Sequence, residues 1–122
     1  MTYYARSASP SAPNQLYSEH TTNVLECAVR YWAEAARYWQ GGSTVEALGA
    51  IIRAAVAFHD LGKLDDANQE ILSGKNSRAP LPIPHQDAGT AYLLTRKETL
   101  SAMLVYAHHV GLPDLAKILL DK

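Results

Sequence analysis

Ala47-Leu48-Gly49-Ala50-Ile51-Ile52-Arg53-Ala54-Ala55-Val56-Ala57-Phe58 leads directly into His59-Asp60-Leu61-Gly62-Lys63. Arg53 alone is charged before the histidine, so a helix here is apolar nearly all round and belongs in the middle of a core. His59 and Asp60 then fall in its last turn and are delivered from the protein interior. Ser43 and Glu46 have the spacing of a capping box and open this helix, and Gly62 is a natural left-handed stop.

Working outward, Val24, Ala28, Tyr31, Ala35 and Trp39 recur at three- and four-residue steps, which predicts a helix from Ser18 that ends at Gly41-Gly42. His20 is four residues before Val24 and shares its buried face. The first 18 residues are rich in Ser, Pro and Ala and read as an extended lead-in. Downstream, Asp65–Leu72 reads as a short helix closed by Gly74, followed by a loop carrying Pro80, Pro82 and Pro84. His85–Leu94 is a further helix, with Ala88 and Gly89 small enough for close backbone approach. Thr95 and Glu98 form a second capping-box pattern, opening a helix through Met103 and Tyr106 to His108 and His109. Gly111 and Pro113 stop it, and Leu115–Leu120 is a last amphipathic segment. No long period-2 alternation occurs, so the expected class is all-α.

The bulk composition narrows the function. The 122 residues make one domain, 48% hydrophobic and 19% charged, in the range of ordinary globular proteins. A net charge of −1 and a pI near 6.5 are wrong for a protein that grips nucleic acid by phosphate neutralisation alone. The single cysteine, Cys27, excludes an internal disulfide and reads as a small buried hydrophobe. No stretch reaches the roughly 18 apolar residues of a membrane span, and no secretory signal opens the chain, so a cytoplasmic location is the expectation.

The histidines carry the chemistry. His20, His59, His85, His108 and His109 each fall at a helix end or on an inward face, and Asp60 directly follows one of them. One such histidine is ordinarily a satisfied core residue. Several buried imidazoles with a carboxylate are costly without a shared partner, and a metal ion is the simplest one. The mixed N/O set suits divalent transition metals, Mn, Fe, Co or Ni ahead of Mg, and is large enough for two ions. Lys63 follows the ligand helix, where its plain reading is a solvated residue near terminal carbonyls. Trp32 and Trp39 read as core of the first helix rather than as base-stacking platforms, and Asp65, Asp66 and Glu70 as a solvated face.

At these residues the chain resembles the HD superfamily of metal-dependent phosphohydrolases. His59-Asp60-Leu61-Gly62-Lys63 after an apolar helix is its HDxGK signature, with His20 upstream and His85 and His108-His109 downstream. Tyr4-Ala5-Arg6-Ser7, Asn68-Gln69 and Gly111-Leu112-Pro113-Asp114 are similar to the HD nuclease domain of type I CRISPR systems in particular, so that the resemblance spans Tyr3 to Asp114. Members usually carry phenylalanine where Asn68 stands and commonly glycine where Val110 stands.

The resemblance implies an HD-domain helical bundle with two ions ~3.5–4 Å apart. Asp60 would bridge them, His20 and His59 would hold the first, and His85, His108 and His109 the second. A water acidified by the ions would attack phosphorus, and Lys63 would offset charge on the phosphate. The family's last metal-binding aspartate lies on a later helix, and Asp114 and Asp121 come too soon to be that residue. Residues 1–122 therefore read as the N-terminal portion of such a domain, truncated after the double-histidine helix. From this follow three expectations: weak cleavage by this chain alone, a better-held ion at His85, His108 and His109, and apolar surface left uncovered on the Ala47–Phe58 helix that could promote self-association. By the same resemblance the substrate is single-stranded DNA and the partners are a superfamily 2 helicase and an RNA-guided surveillance complex. The runner-up is an HD phosphohydrolase acting on nucleotides or cyclic dinucleotides. Cyclic-dinucleotide members continue into a Gly-Tyr-Pro element, where this chain has Gly111-Leu112-Pro113. A non-catalytic metal-binding role is the third reading.

Overall fold

The apolar run forms α2 (Val45–Phe58), and α2 packs against α1 (Tyr17–Ala36) on one side and α5 (Thr99–Val110) and α4 (Gln86–Thr95) on the other. A short 3-10 turn, Leu61–Leu64, follows α2 and leads into α3 (Asp66–Leu72). This computed structural model describes residues 1–74 and 79–111. It is an all-α bundle with one small addition. The sequence pattern of the lead-in hides a two-stranded antiparallel ribbon, β1 (Tyr4–Arg6) with β2 (Gln15–Leu16), pairing Tyr4 with Leu16 and Arg6 with Gln15 across a bulge. Strands this short carry no alternation to detect. The ribbon is held by tertiary bonds: Gln69 accepts from Tyr4 N and donates to Tyr4 O, both at 2.8 Å, and Ser7 Oγ donates to Ile71 O at 3.0 Å.

The core is built from small side chains. Ala55 of α2, Leu93 of α4, and Ala102 and Val105 of α5 form the buried cluster, with Ala54 and Phe58 packed against it. Small residues bring backbones together. At Gly89 a Cβ would overlap the Phe58 carbonyl oxygen, so α4 crosses the end of α2 in direct backbone contact.

Several local expectations are corrected. Thr44, not Ser43, caps α2, its hydroxyl accepting from Ala47 N at 3.0 Å. Thr95 and Glu98 form no capping box. Lys97 takes φ +63°, Glu98 N donates to Leu93 O and Lys97 N to Leu94 O, so these residues close α4 in a Schellman motif. Gly62 is not left-handed; it lies inside the 3-10 turn, and its role is spatial. On α1 the covered stripe follows Val24 and Ala28 to Trp32 and Ala36, while Tyr31 and Ala35 face solvent. Trp32 lies against Gly49 of α2. Trp39 lies beyond the helix, 42% exposed, its Nε1 donating to Ser43 O, so it covers the α1–α2 connection rather than the core. Cys27 is exposed.

The uncovered apolar surface is elsewhere than expected. The large side chains of α2 are mostly half-buried, whereas Leu94, Leu100, Met103, Leu104, Tyr106 and Val110 of α4 and α5 are exposed. A groove of about 530 Å³ runs between these two helices. Leu112-Pro113-Asp114, Leu115–Leu120 and Asp121 lie outside the described residues. Among the described residues no helix is long and apolar enough to cross a membrane.

Candidate metal centre

Asp60 is the hub of the site. It is 3% exposed and sits between α2 and the 3-10 turn with φ −112° and ψ 20°, near a sparsely populated conformation common at functional sites. That kink aims its carboxylate back across the end of α2. His59, one residue earlier, donates from Nδ1 to Val56 O at 2.7 Å. This bond fixes the tautomer and leaves Nε2 facing the carboxylate.

Two groups form around the two carboxylate oxygens. On one side, His20 of α1 places Nε2 3.1 Å from Asp60 Oδ2, His59 Nε2 stands 3.3 Å from the same oxygen, and the two nitrogens are 3.3 Å apart. On the other, His85, which caps α4, and His109, in the last turn of α5, place Nε2 3.8 and 3.9 Å from Oδ1. Each group, His20–His59–Asp60 and Asp60–His85–His109, brings three ligand atoms within 4.8 Å of one another. Asp60 belongs to both.

The donor spacing is compatible with a metal ion. Ligand atoms at about 2.0–2.2 Å from one ion lie roughly 3.0–3.5 Å apart, which the first group already meets and the second approaches. Two features must yield. Lys63 Nζ donates to Asp60 Oδ2 at 2.7 Å, and His109 Nε2 donates to His59 O at 2.9 Å. An ion held through those atoms would compete with both bonds.

No known protein family, curated protein or solved structure matches this chain. What the site can hold is therefore read from its own donors.

Electrostatics follow from burial and pairing. Burial opposes ionisation of Asp60, but hydrogen bonds from His59 and Lys63 and their charges outweigh it and hold the carboxyl far below its ordinary value. Burial also pulls His59 down, yet its bonds to Asp60 and the Val56 carbonyl win and leave it raised. His20, His85 and His108 are lowered, burial being the first cause in each.

His108 joins neither group. Its ring stands edge-on to those of His59, at 5.4 Å, and His109, at 4.9 Å, and it lines an apolar cavity of about 250 Å³ between α1, α2 and α5. Consecutive helical residues diverge by ~100°, and here only His109 turns towards Asp60. The sequence reading also passed over Tyr17 and Thr21. Their hydroxyls are buried without a hydrogen-bond partner among the described residues, one turn apart at the start of α1. Burial, then the charge of Asp60, pushes the Tyr17 phenol up. Their one-turn spacing around His20 was the available signal.

Proposed function

We propose that the protein is a metal-dependent phosphodiesterase of the HD type acting on single-stranded DNA. The observation that carries this reading is the double membership of Asp60, with Oδ2 among His20 and His59 and Oδ1 facing His85 and His109. A carboxylate shared in this way, ringed by imidazoles, matches the donor pattern of two-ion phosphoester hydrolysis. The choice of DNA comes from the resemblance to the CRISPR-associated nuclease domain, as do a helicase and an RNA-guided complex as partners.

The chain's own residues would act as follows. His20 and His59 would hold one ion through neutral Nε2, His85 and His109 would hold the other, and Asp60 would contribute to both. The ions, when bound, supply Lewis acidity and lower the pKa of water. His59 is kept in register by the Val56 carbonyl. Lys63, which donates to Asp60 in the structure, would be placed to pair with a phosphate oxygen and offset charge in the transition state. The near-neutral charge of the chain leaves strand capture to a partner.

The test is hydrolysis of single-stranded DNA with added manganese or nickel, with protein in excess so that slow cleavage is counted. Duplex DNA, nucleotides and a cyclic dinucleotide serve as parallel substrates. Metal-dependent cleavage of the single strand, lost in Asp60→Ala and reduced in Lys63→Met, is expected. Hydrolysis confined to nucleotides or cyclic dinucleotides transfers the assignment to the HD phosphohydrolases. Bound metal without hydrolysis of any substrate leaves a metal-binding module.

A further inference from the structure

We infer that Asn68 is a positioning residue for one half of the centre, setting the reach from Asp60 to His85. The inference rests on the reading that both groups hold metal. Asn68 is completely buried, and its amide makes three hydrogen bonds. Nδ2 donates to Gly62 O and to Ile83 O, each at 2.9 Å, and Oδ1 accepts from Ile83 N at 3.0 Å. Gly62 is two residues after Asp60, and Ile83 is two residues before His85. One side chain thus ties the segment carrying the shared carboxylate to the segment carrying His85.

The tie matters because α4, packed on α2 and α5, fixes His85 from its C-terminal side only. On its other side Pro82, Ile83 and Pro84 are exposed, so the residues next to it in the loop add little apolar packing. The two segments touch where Gly62 meets His85: a Cβ at Gly62 would lie 2.6 Å from both the Cα and the carbonyl oxygen of His85. Asn68 holds this contact closed. His20 and His59 are placed by α1 and α2, and neither is bonded to Asn68. Loss of Asn68 therefore loosens one half-site and spares the other. Supporting residues of this kind change metal affinity by roughly 10–100-fold.

The experiment compares Asn68→Leu, which removes all three bonds, with Asn68→Asp, which keeps only the acceptor for Ile83 N. Leu72→Ala, at another buried position of α3, serves as a folding control that leaves the three bonds intact. Calorimetric titration with cobalt gives the affinities, and paramagnetic broadening of histidine ring signals assigns each step to His20 or to His85. Asn68→Leu should weaken the His85 step about tenfold or more and leave the His20 step within twofold. Asn68→Asp should fall between, and Leu72→Ala should lower Tm without changing the ratio of the two affinities. In the metal-free protein the His85 ring signals should move in Asn68→Leu while those of His20 stay. Equal weakening of both steps, or a lowered Tm with an unchanged ratio, overturns the inference. Absence of binding by the wild-type protein sinks the metal reading instead, and the metal-free spectra then decide the role of Asn68 by themselves.

Discussion

On one side of Asp60 the ring nitrogens of His20 and His59 stand 3.1 and 3.3 Å from Oδ2; on the other, those of His85 and His109 stand 3.8 and 3.9 Å from Oδ1. The difference follows from what carries the rings. His59 and Asp60 are consecutive, and His20 comes from the first turns of a long helix packed along α2. His85 sits at a loop-to-helix junction and His109 near the end of α5, where it is already bonded to the His59 carbonyl. Rigid, adjacent elements preorganise donors; junctions leave them to be drawn in. The sequence reading placed the firmer ion with His85, His108 and His109. In the structure the His20–His59–Asp60 group is the more closely spaced of the two.

The largest effect tests the shared member. Asp60→Ala should abolish loading of both positions, whereas His20→Ala should remove one step and leave the other. Titration with manganese or cobalt, with elemental analysis, reads both. Equal, partial losses from the two variants would mean that the halves do not share Asp60.

How much of this could be read beforehand differs by region. The end of α2 was legible because a continuous apolar run admits one location, and the polar pair after it has nowhere else to go. The ends of α4 and α5 were also legible as carriers of His85 and His109. The failures are tertiary. Ser43 is by chemistry at least as good a cap as Thr44, yet it is Thr44 that accepts from Ala47 N. Thr95 and Glu98 satisfy a capping pattern, yet the chain uses Lys97 at positive φ to end α4 there, a conformation sequence assigns to glycine. The orientation of His108 depends on helix phase to within a fraction of a turn. Asn68 and Gln69 were noticed only as a matching pair of letters. Their hydrogen bonds reach Ile83 and Tyr4, distant contacts to which local pattern is blind.

A second perturbation attacks the looser half through the backbone. Gly62→Ala puts a methyl group where His85 Cα and O already lie, so the chain must shift. Overpacking of this kind costs about 1–3 kcal/mol, visible as a lower Tm. The strain displaces His85 rather than His20, so the His85 step should weaken by roughly 10–100-fold and the other should persist. If Gly62→Ala weakens only the His20 step, the halves are not carried by the separate elements described here.

Proton competition should separate the halves more gently. Ligand imidazoles must be neutral, so binding displaces any proton they carry. His59 is raised above its ordinary 6.5, burial being overcome by its bonds to Asp60 and Val56, so in the metal-free protein it holds a proton into higher pH. Affinity at the His20–His59–Asp60 group should therefore fall as pH drops through the raised value, by about tenfold per pH unit for one displaced proton. His85 is lowered by burial, so its proton competes only below 6.5. The contribution of His85 to its group should therefore persist to lower pH than that of His59 to the other. Titrations between roughly pH 8 and 6 check this, and parallel slopes for the two steps would refute it.

The smallest effect has the most informative sign. Lys63 Nζ lies 2.7 Å from Asp60 Oδ2, the oxygen that His20 and His59 also approach. Without metal the ammonium satisfies a buried carboxylate; with metal it is a competitor for the same oxygen and a like charge beside the ion. Lys63→Met keeps the aliphatic stem and removes both effects. The metal-free protein should lose stability, because the carboxylate then has one charge-assisted bond fewer, worth about 1.5–3 kcal/mol. Affinity at the His20–His59–Asp60 group should rise a few-fold, since the ion no longer displaces the lysine. The Asp60–His85–His109 step should change less, because the lysine bonds to the other oxygen. A fall in affinity at the first group would show that Lys63 holds Asp60 in its coordinating pose, making the lysine a support for the site rather than a cation in reserve for substrate.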